Sequence, residues 1–498
     1  SVFVATSAGT QIGRNALTAN FSFEASPGFV RAFRMAPLSD DPELFRRLVE
    51  RLRGFCLQGR AAPRLPAVEW PGDWLHPRLR LRAFGPLPSE KSWGLVLDDE
   101  VPGSAVAAKG ELLMALRAVA AGTSRRELLQ ELRFYVGDVA AATVVASDLT
   151  DTEARQVQRL FDGRPRGPVA DSDRLLFLKT AVQSSPCTPD QATFDRSRLL
   201  RIINFNGHSC PRPKLLQDQE GLGRQLPEWQ GLFPTLALIN HACLANVTFI
   251  FIEDTVFVRA GKELEPGTEL LTSYIKVFAS LSERQAALDR YHMSCCCPRC
   301  QLEEAICREP SGGASVSEFL AEIELSRAAV ESARAFSMGC SESEMLTRLF
   351  LRVAETEASA KKAAAVLQVG FLILAAMAFD AYATVATLAH TLECLCEAAS
   401  ARARMSEMCE EISPFGPDHV RWALGRLEAL LRAEKAGEVG VDLGAAEAQT
   451  YARQVVQSAF GEGGDLWQLF ARAAGVEVEH LAEPTHEAPR GAARLSTG

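Results

Sequence analysis

Between residues 232 and 274, hydrophobic positions crowd into short runs of β-branched and aromatic side chains. "NVTFIFI" and "TVFVRA" flank Glu253 and Asp254, and the pattern predicts a hairpin turning on that acidic pair. "GKELEPGTELLTSY" adds a glycine turn and a further strand. The period then lengthens to that of a helix in "SLSERQAALDRY", where Ser280 and Glu283 stand as a capping box. Upstream, "LRLRAFG" and "WGLVLDDEVPGSAVA" read as short strands around turns. Residues 111–200, including "ELLMALRAVAAG" and "SRRELLQELRFYVGDVA", are mainly helical by pattern. "DDPELFRRLVERLRGF" also has helical period, with acidic residues leading and arginines following, before "AAPRLPAVEWPGDW" breaks it with prolines and a glycine.

After the linker-like "REPSGGASVS" (308–317), the pattern becomes purely helical. "EFLAEIELSRAAVESARAF", "EMLTRLFLRVAETEASAKKAAAVL" and "DHVRWALGRLEALLRAEKAG" are amphipathic, and such succession predicts a solenoid-like domain without a strict repeat. "AAAVLQVGFLILAAMAF" (363–379) approaches the length of a membrane span, but it contains Gln368 and runs into Asp380. A buried helix is expected there, and no membrane. The tail, 481–498, has the composition of a disordered segment.

The 498 residues are enough for about two to four domains, and 47% hydrophobic with 23% charged residues is ordinary globular composition. A net charge of −9 gives no basis for a long nucleic-acid-binding face and leans weakly toward basic peptide substrates. The first residues lack a basic segment followed by an apolar core, so no secretory signal is expected, although the initial Ser leaves room for an upstream segment. Thirteen unevenly placed cysteines suit a cytoplasmic or nuclear protein with reduced thiols.

Four of those cysteines fall within "YHMSCCCPRC", residues 291–300. Cys295, Cys297 and Cys300 are too close in sequence to make good disulfide partners, whereas thiolates converging from a turn suit tetrahedral zinc. Redox chemistry through Cys297 and Cys300 lacks a surrounding βαβ pattern. Cys296, squeezed between ligands, is expected to point elsewhere. A fourth ligand must come from a distant segment, and spacing leaves Cys210, Cys243 and Cys307 all open.

"LFPTLALINHACLANV", "GTELLTSY" and "SERQAALDRYHMSCCCPRCQ", in that order, resemble the second half of a SET domain with its post-SET cysteines, in the SMYD and SET-with-TPR branch. The resemblance is most specific over residues 230–302. It extends backward more weakly through "SEKSWGLVLDDEVPGSAVA" and "LLRIINFNGHSC", and forward to the C-terminal helices. No MYND finger is expected, since only Cys187 lies between Cys56 and Cys210.

The resemblance implies an α+β fold: a SET β-fold with a helical insertion, a post-SET zinc site and an all-α TPR-like C-terminal domain. Its boundaries fall at 76–115 for the first SET part, 116–200 for the insertion, 201–292 for the core, 293–307 for the zinc segment and 317–480 for the helices. Residues 1–75 have no assigned role. The implied activity is transfer of methyl groups from S-adenosylmethionine to lysines of protein or peptide substrates, histones among the candidates, by a monomer without direct nucleic-acid contact. By the same resemblance, Cys243 joins Cys295, Cys297 and Cys300 on zinc. Tyr274 and Tyr291 line the site of transfer. Asn240 and His241 hold the cofactor together with Tyr274, Lys91, Ser92, Trp93, Asn206 and Met293. The sequence departs from the family pattern at Ser92-Trp93-Gly94, which keeps only the last glycine of Gly-x-Gly, and at Ala242, Ala245 and Met293. The alternative is a catalytically weak SET scaffold whose helical domain binds a partner.

Overall fold

The computed structural model describes residues 52–53, 56, 73–84, 92–98, 106–122, 151–163, 177, 196–210, 229–308, 314–335, 341–437, 444–461, 464–474 and 476. Lys91, the stretch "SRRELLQELRFYVGDVA", most of residues 1–75 and the tail 481–498 lie outside them.

Among the described residues, the N-terminal half contains four small sheets. The largest runs β1 (Trp74–Leu75), β4 (Leu112–Arg117), β10 (Thr255–Ala260), β9 (Val247–Ile252), each neighbour antiparallel. The β9–β10 turn is the expected acidic pair, with Glu253 at φ 54°. β2 (Leu79–Phe84) pairs with β3 (Ser92–Leu97), as their sequence runs predict. β5 (Ala120–Gly122) and β6 (Gly207–Cys210) flank β7 (Trp229–Leu232). The short β8 (Asn240–His241) and β11 (Leu271–Thr272) pair in parallel. Between β5 and β6 the described segments include α1 (Asp151–Gln158) and α2 (Arg196–Asn206), which leads directly into β6.

"ELLMALRAVAAG" corrects the sequence expectation: it forms β4 and β5 rather than a helix. The central sheet is covered on both faces, so β4 has no polar side to betray a period of two. Leu112 and Ala115 join the cluster that continues into the C-terminal helices, while Leu113, Met114 and Leu116 join the opposite cluster with Val256, Val258 and Phe233. A register shift at Val258/Arg259, which pair with Met114 and Leu112, skips Leu113. That bulge breaks the alternation further and puts Leu112 and Ala115 on one face.

Beyond the sheets come α3 (Leu281–Asp289), α4 (Pro298–Arg308), α5 (Ala314–Ala335), α6 (Glu342–Leu367), α7 (Phe371–Ala375), α8 (Phe379–Thr391), α9 (Leu395–Ile412), α10 (Pro417–Ala436), α11 (Ala445–Phe460) and α12 (Gly464–Ala473). α5 carries the first amphipathic run expected after the linker-like stretch. α5 packs on α6, α8 on α9, α9 on α10 and α10 on α11, as the succession of amphipathic patterns predicts.

The apolar stretch 363–379 is not one helix. α6 ends at Gln368, whose φ of 54° and ψ of 43° form a left-handed cap, and Gly370 opens α7. Leu372–Thr391 is long and apolar enough to cross a membrane by length and composition alone. Leu374, Ala375, Ala376, Val385, Ala386 and Ala389 within it are fully buried in the core shared with neighbouring helices.

That core is continuous with the sheet face carrying Ile250, Ile252 and Phe257, so the helical region packs directly on the strands. Phe278 and Phe379 stack across the boundary with ring centroids 3.7 Å apart. Lys109, at the turn before β4, pairs with Glu410 of α9 at 2.5 Å.

Candidate active site and metal centre

Four sulfurs meet where α4 begins. The Sγ atoms of Cys243, Cys295, Cys297 and Cys300 all lie within 4.8 Å of one another, with Cys243 3.5 Å from Cys300 and 3.9 Å from Cys295. Tetrahedral zinc with bonds of about 2.3 Å would need sulfurs about 3.8 Å apart, so the cluster could hold such an ion. Pro298 opens α4, a position where its missing N–H costs nothing, and Cys297 just before it accepts a hydrogen bond from the Cys300 amide. Hydrogen bonding with Cys243 holds the Cys295 and Cys297 thiols below their ordinary values. Hydrogen bonding with Cys295 and Cys297 raises Cys243 and, against the lowering bond with Cys243, raises Cys300, so the four thiols share their protons unequally. Cys296 is exposed, turned away from the cluster, and Cys210 lies in a different core.

The parallel β8–β11 pair sets Asn240 opposite Leu271 and His241 opposite Thr272, so Tyr274 emerges beside them. His241 Nδ1 accepts the Tyr274 backbone N–H at 3.0 Å, and its Nε2 lies 3.6 Å from Cys243 Sγ. With Nδ1 accepting, Nε2 carries the proton and is directed at the sulfur. One imidazole therefore joins the thiol cluster to the Tyr274 backbone. The Tyr274 hydroxyl donates to the Ile239 carbonyl at 2.6 Å, and burial, reinforced by Tyr291 and Glu269, raises its pKa well above the ordinary range. Asn240 Nδ2 donates to Glu269 Oε1 at 2.6 Å. Burial raises the Glu269 carboxyl, and that hydrogen bond opposes the rise. The backbone of β3 passes close by: a Cβ on Gly94 would lie 2.5 Å from Glu269 Oε1 and 2.8 Å from Asn240 Nδ2.

The SET domain family model matches residues 109–275, the span containing β8, β11 and Tyr274. The chain carries a SET domain. It is similar to protein-lysine N-methyltransferase SMYD4 of Homo sapiens, 30% identical over 138 residues, covering 25% of this chain and 16% of that protein. It is also similar to N-lysine methyltransferase SMYD2 of Gallus gallus, 40% identical over 74 residues (15% of this chain, 17% of that one). Histone-lysine N-methyltransferase ASHR1 of Arabidopsis thaliana is 33% identical over 98 residues (20% and 19%). The chain thus spans under a fifth of the length of each of these relatives. The chain is homologous to SMYD-family lysine methyltransferases. Strands before its matched span join the same structure, since β1 pairs with β4 and Val96 of β3 bridges to Glu269.

The remaining residues expected at the site fall around this SET domain. The Tyr291 ring sits 5.5 Å from the Tyr274 ring, with the Arg290 guanidinium 4.7 Å from its centroid and donating to its hydroxyl at 3.0 Å. Phe205 lies 6.2 Å from Tyr291, between it and Phe161. Asn206 is buried, its amide donating to the carbonyls of Phe161 and Ile202 at 2.7 and 2.8 Å, which ties the insertion to α2. Met293 is half-buried against the cysteine cluster. Ser92 and Trp93 are placed by their backbone in β3, opposite Phe84 and Ala83, while Lys91 lies outside the described residues.

Asn246 escaped the sequence reading. Its side chain donates to the Glu269 carbonyl and accepts from the Leu271 amide, both at 2.7 Å, holding the segment that carries Glu269 and Tyr274 against the segment that carries His241. The available signal was its place as the final Asn of "NHACLAN". Phe205 and Arg290 had no comparable signal, because only folding brings them to Tyr291.

Proposed function

We propose that the protein transfers methyl groups from S-adenosylmethionine to lysine side chains of protein substrates. The observation that carries this reading is the meeting of Asn240, His241 and Tyr274, from segments 33 residues apart, beside the four-thiol cluster. The printed activities of the SMYD relatives support lysine as the acceptor. The fit to the cofactor rests on Gly94, where the absence of a side chain leaves backbone close to Asn240 and Glu269. Asn240 and His241 would hold the cofactor there, with Lys91, Ser92, Trp93, Asn206 and Met293 as further contacts. When bound, the cofactor supplies an electrophilic methyl on a sulfonium.

What remains for the chain is alignment and proton control. Buried Tyr274 stays a phenol at working pH, and its proton is committed to Ile239. It therefore offers lone pairs that can orient an amine, and it does not act as a base. The lysine, with an ordinary pKa of about 10.4, must shed its proton on the way in, and the aromatic surround of Tyr274, Tyr291 and Phe205 favours the neutral amine. Cys243, Cys295, Cys297 and Cys300 would hold zinc, which would supply folding energy and anchor α4 to the SET domain.

The test is incorporation of labelled methyl from S-adenosylmethionine into a protein extract, with cofactor binding and melting followed in parallel. Tyr274→Phe should keep cofactor binding within a few-fold and fall by about a hundredfold in rate. Transfer that survives the substitution would remove Tyr274 from the reaction. A folded, cofactor-bound parent that methylates nothing would leave the scaffold reading in its place.

A further inference from the structure

A buried cation lies against the thiol cluster, and the function proposed above does not use it. Arg284 of α3, only 1% exposed, brings Nη2 to 3.8 Å from Cys300 Sγ and to 2.8 Å from Glu303 Oε2. Arg299, equally buried at the start of α4, pairs its Nε with the other Glu303 oxygen at 2.7 Å. Arg284 and Arg299 also donate to the backbone carbonyls of Ala279 and Val277. Two guanidinium groups against one carboxylate leave an excess positive charge out of water. Arg284 Nε and Arg299 Nη2 have no hydrogen-bond partner among the described residues. An unbalanced buried charge is strongly unfavourable unless a neighbour supplies the opposite sign. Four protonated thiols would not supply it. Four thiolates on a divalent ion carry a net charge of two minus, and Cys300 is the sulfur that Arg284 reaches.

We propose that Arg284, held by Glu303 and Arg299, is the outer-sphere donor and counter-charge of the tetrathiolate metal centre. The inference rests on the zinc reading of the cluster. Arg284 is then a positioning residue: it fixes Cys300 and offsets the charge of the centre. The same side chains fasten both helices to the carbonyls at 277 and 279, on either side of Phe278, whose ring stacks on α8. Metal loss and release of the Phe278 segment should accordingly be coupled.

The experiment measures zinc affinity by chelator competition at fixed pH, and the thiolate-to-metal absorption of the cobalt-substituted protein, for parent, Arg284→Met and Arg284→Lys. Outer-sphere partners of metal ligands typically contribute about ten- to hundredfold in affinity, and Arg284→Met should lose that much. Its cobalt band should shift in energy while keeping the intensity of four thiolates. Arg284→Lys keeps the charge without the fork, so it should hold zinc within a few-fold and still shift the band. It carries the test if the methionine variant fails to fold. Parent affinity and an unchanged spectrum in either variant would overturn the proposal and leave the triad as packing. A folded parent that takes up neither zinc nor cobalt would sink the metal reading first, and this inference with it.

Discussion

Gly94 shows how much of the site hangs on one missing methyl group. Its hydrogen stands where a Cβ would press on Glu269, Asn240 and Phe84 at 2.5–2.8 Å. Both polar ends are tied to each other at 2.6 Å, so neither can swing away without breaking that bond. Gly94→Ala should therefore cost about 1–3 kcal/mol in stability, as overpacking does, and weaken S-adenosylmethionine binding. Calorimetry beside thermal melting checks both, and unchanged cofactor affinity would place the cofactor away from β3. Position 94 was legible as the surviving glycine of a degenerate loop. What it makes room for was not, since Asn240 and Glu269 are distant in sequence and meet only through the β8–β11 pairing.

At the scale of elements, local chemistry and tertiary packing can be told apart. α3 carries the capping box its sequence announces: Ser280 Oγ accepts the Glu283 amide at 3.3 Å, and Glu283 Oε2 accepts the Ser280 amide at 2.9 Å. Ser280→Ala should cost about 1 kcal/mol in chemical denaturation. No loss would mean that Arg284 and Leu288, both buried, hold the helix alone. β4 is the opposite case. "LLMALR" has high helical propensity and strand structure, because pairing with β1 and β10 and burial on both faces outweigh a preference of tenths of a kcal/mol per residue.

Over the whole molecule, the junction of strands and helices contains a directed hydrogen-bond chain. The Phe415 amide donates to His419 Nδ1 at 3.0 Å, so His419 Nε2 donates to Tyr451 at 2.7 Å, and Tyr451 donates to Glu410 at 3.0 Å. Glu410 in turn pairs with Lys109 of the SET domain. Burial pushes His419 down to about 4, with Glu410 opposing and Lys109 assisting the shift. An unfolded histidine titrates near 6.5, so unfolding takes up a proton between these values. The stability that neutral His419 confers is complete above about pH 6.5 and declines toward pH 4, by at most about 1.4 kcal/mol per unit. Melting temperatures across that range should fall more gently in His419→Gln than in the parent, and parallel profiles would show that another group takes the proton.

The chain by itself determined those features whose chemistry is local. These are the acidic hairpin turn, the capping box of α3, the amphipathic helices of the C-terminal half and three thiols set to converge from one short segment. Each depends on residues a few positions apart, where spacing alone decides geometry. Family resemblance added Cys243, Tyr274, Asn240 and His241, because their order along the chain is itself a signature. Only the tertiary structure decided that "ELLMALRAVAAG" is strand, that Asn246 clamps two site segments together and that Arg284 reaches Cys300. It also decided that Phe278 docks on Phe379. These are contacts between residues far apart in sequence, selected by burial and charge balance within the folded protein, and no local pattern encodes either.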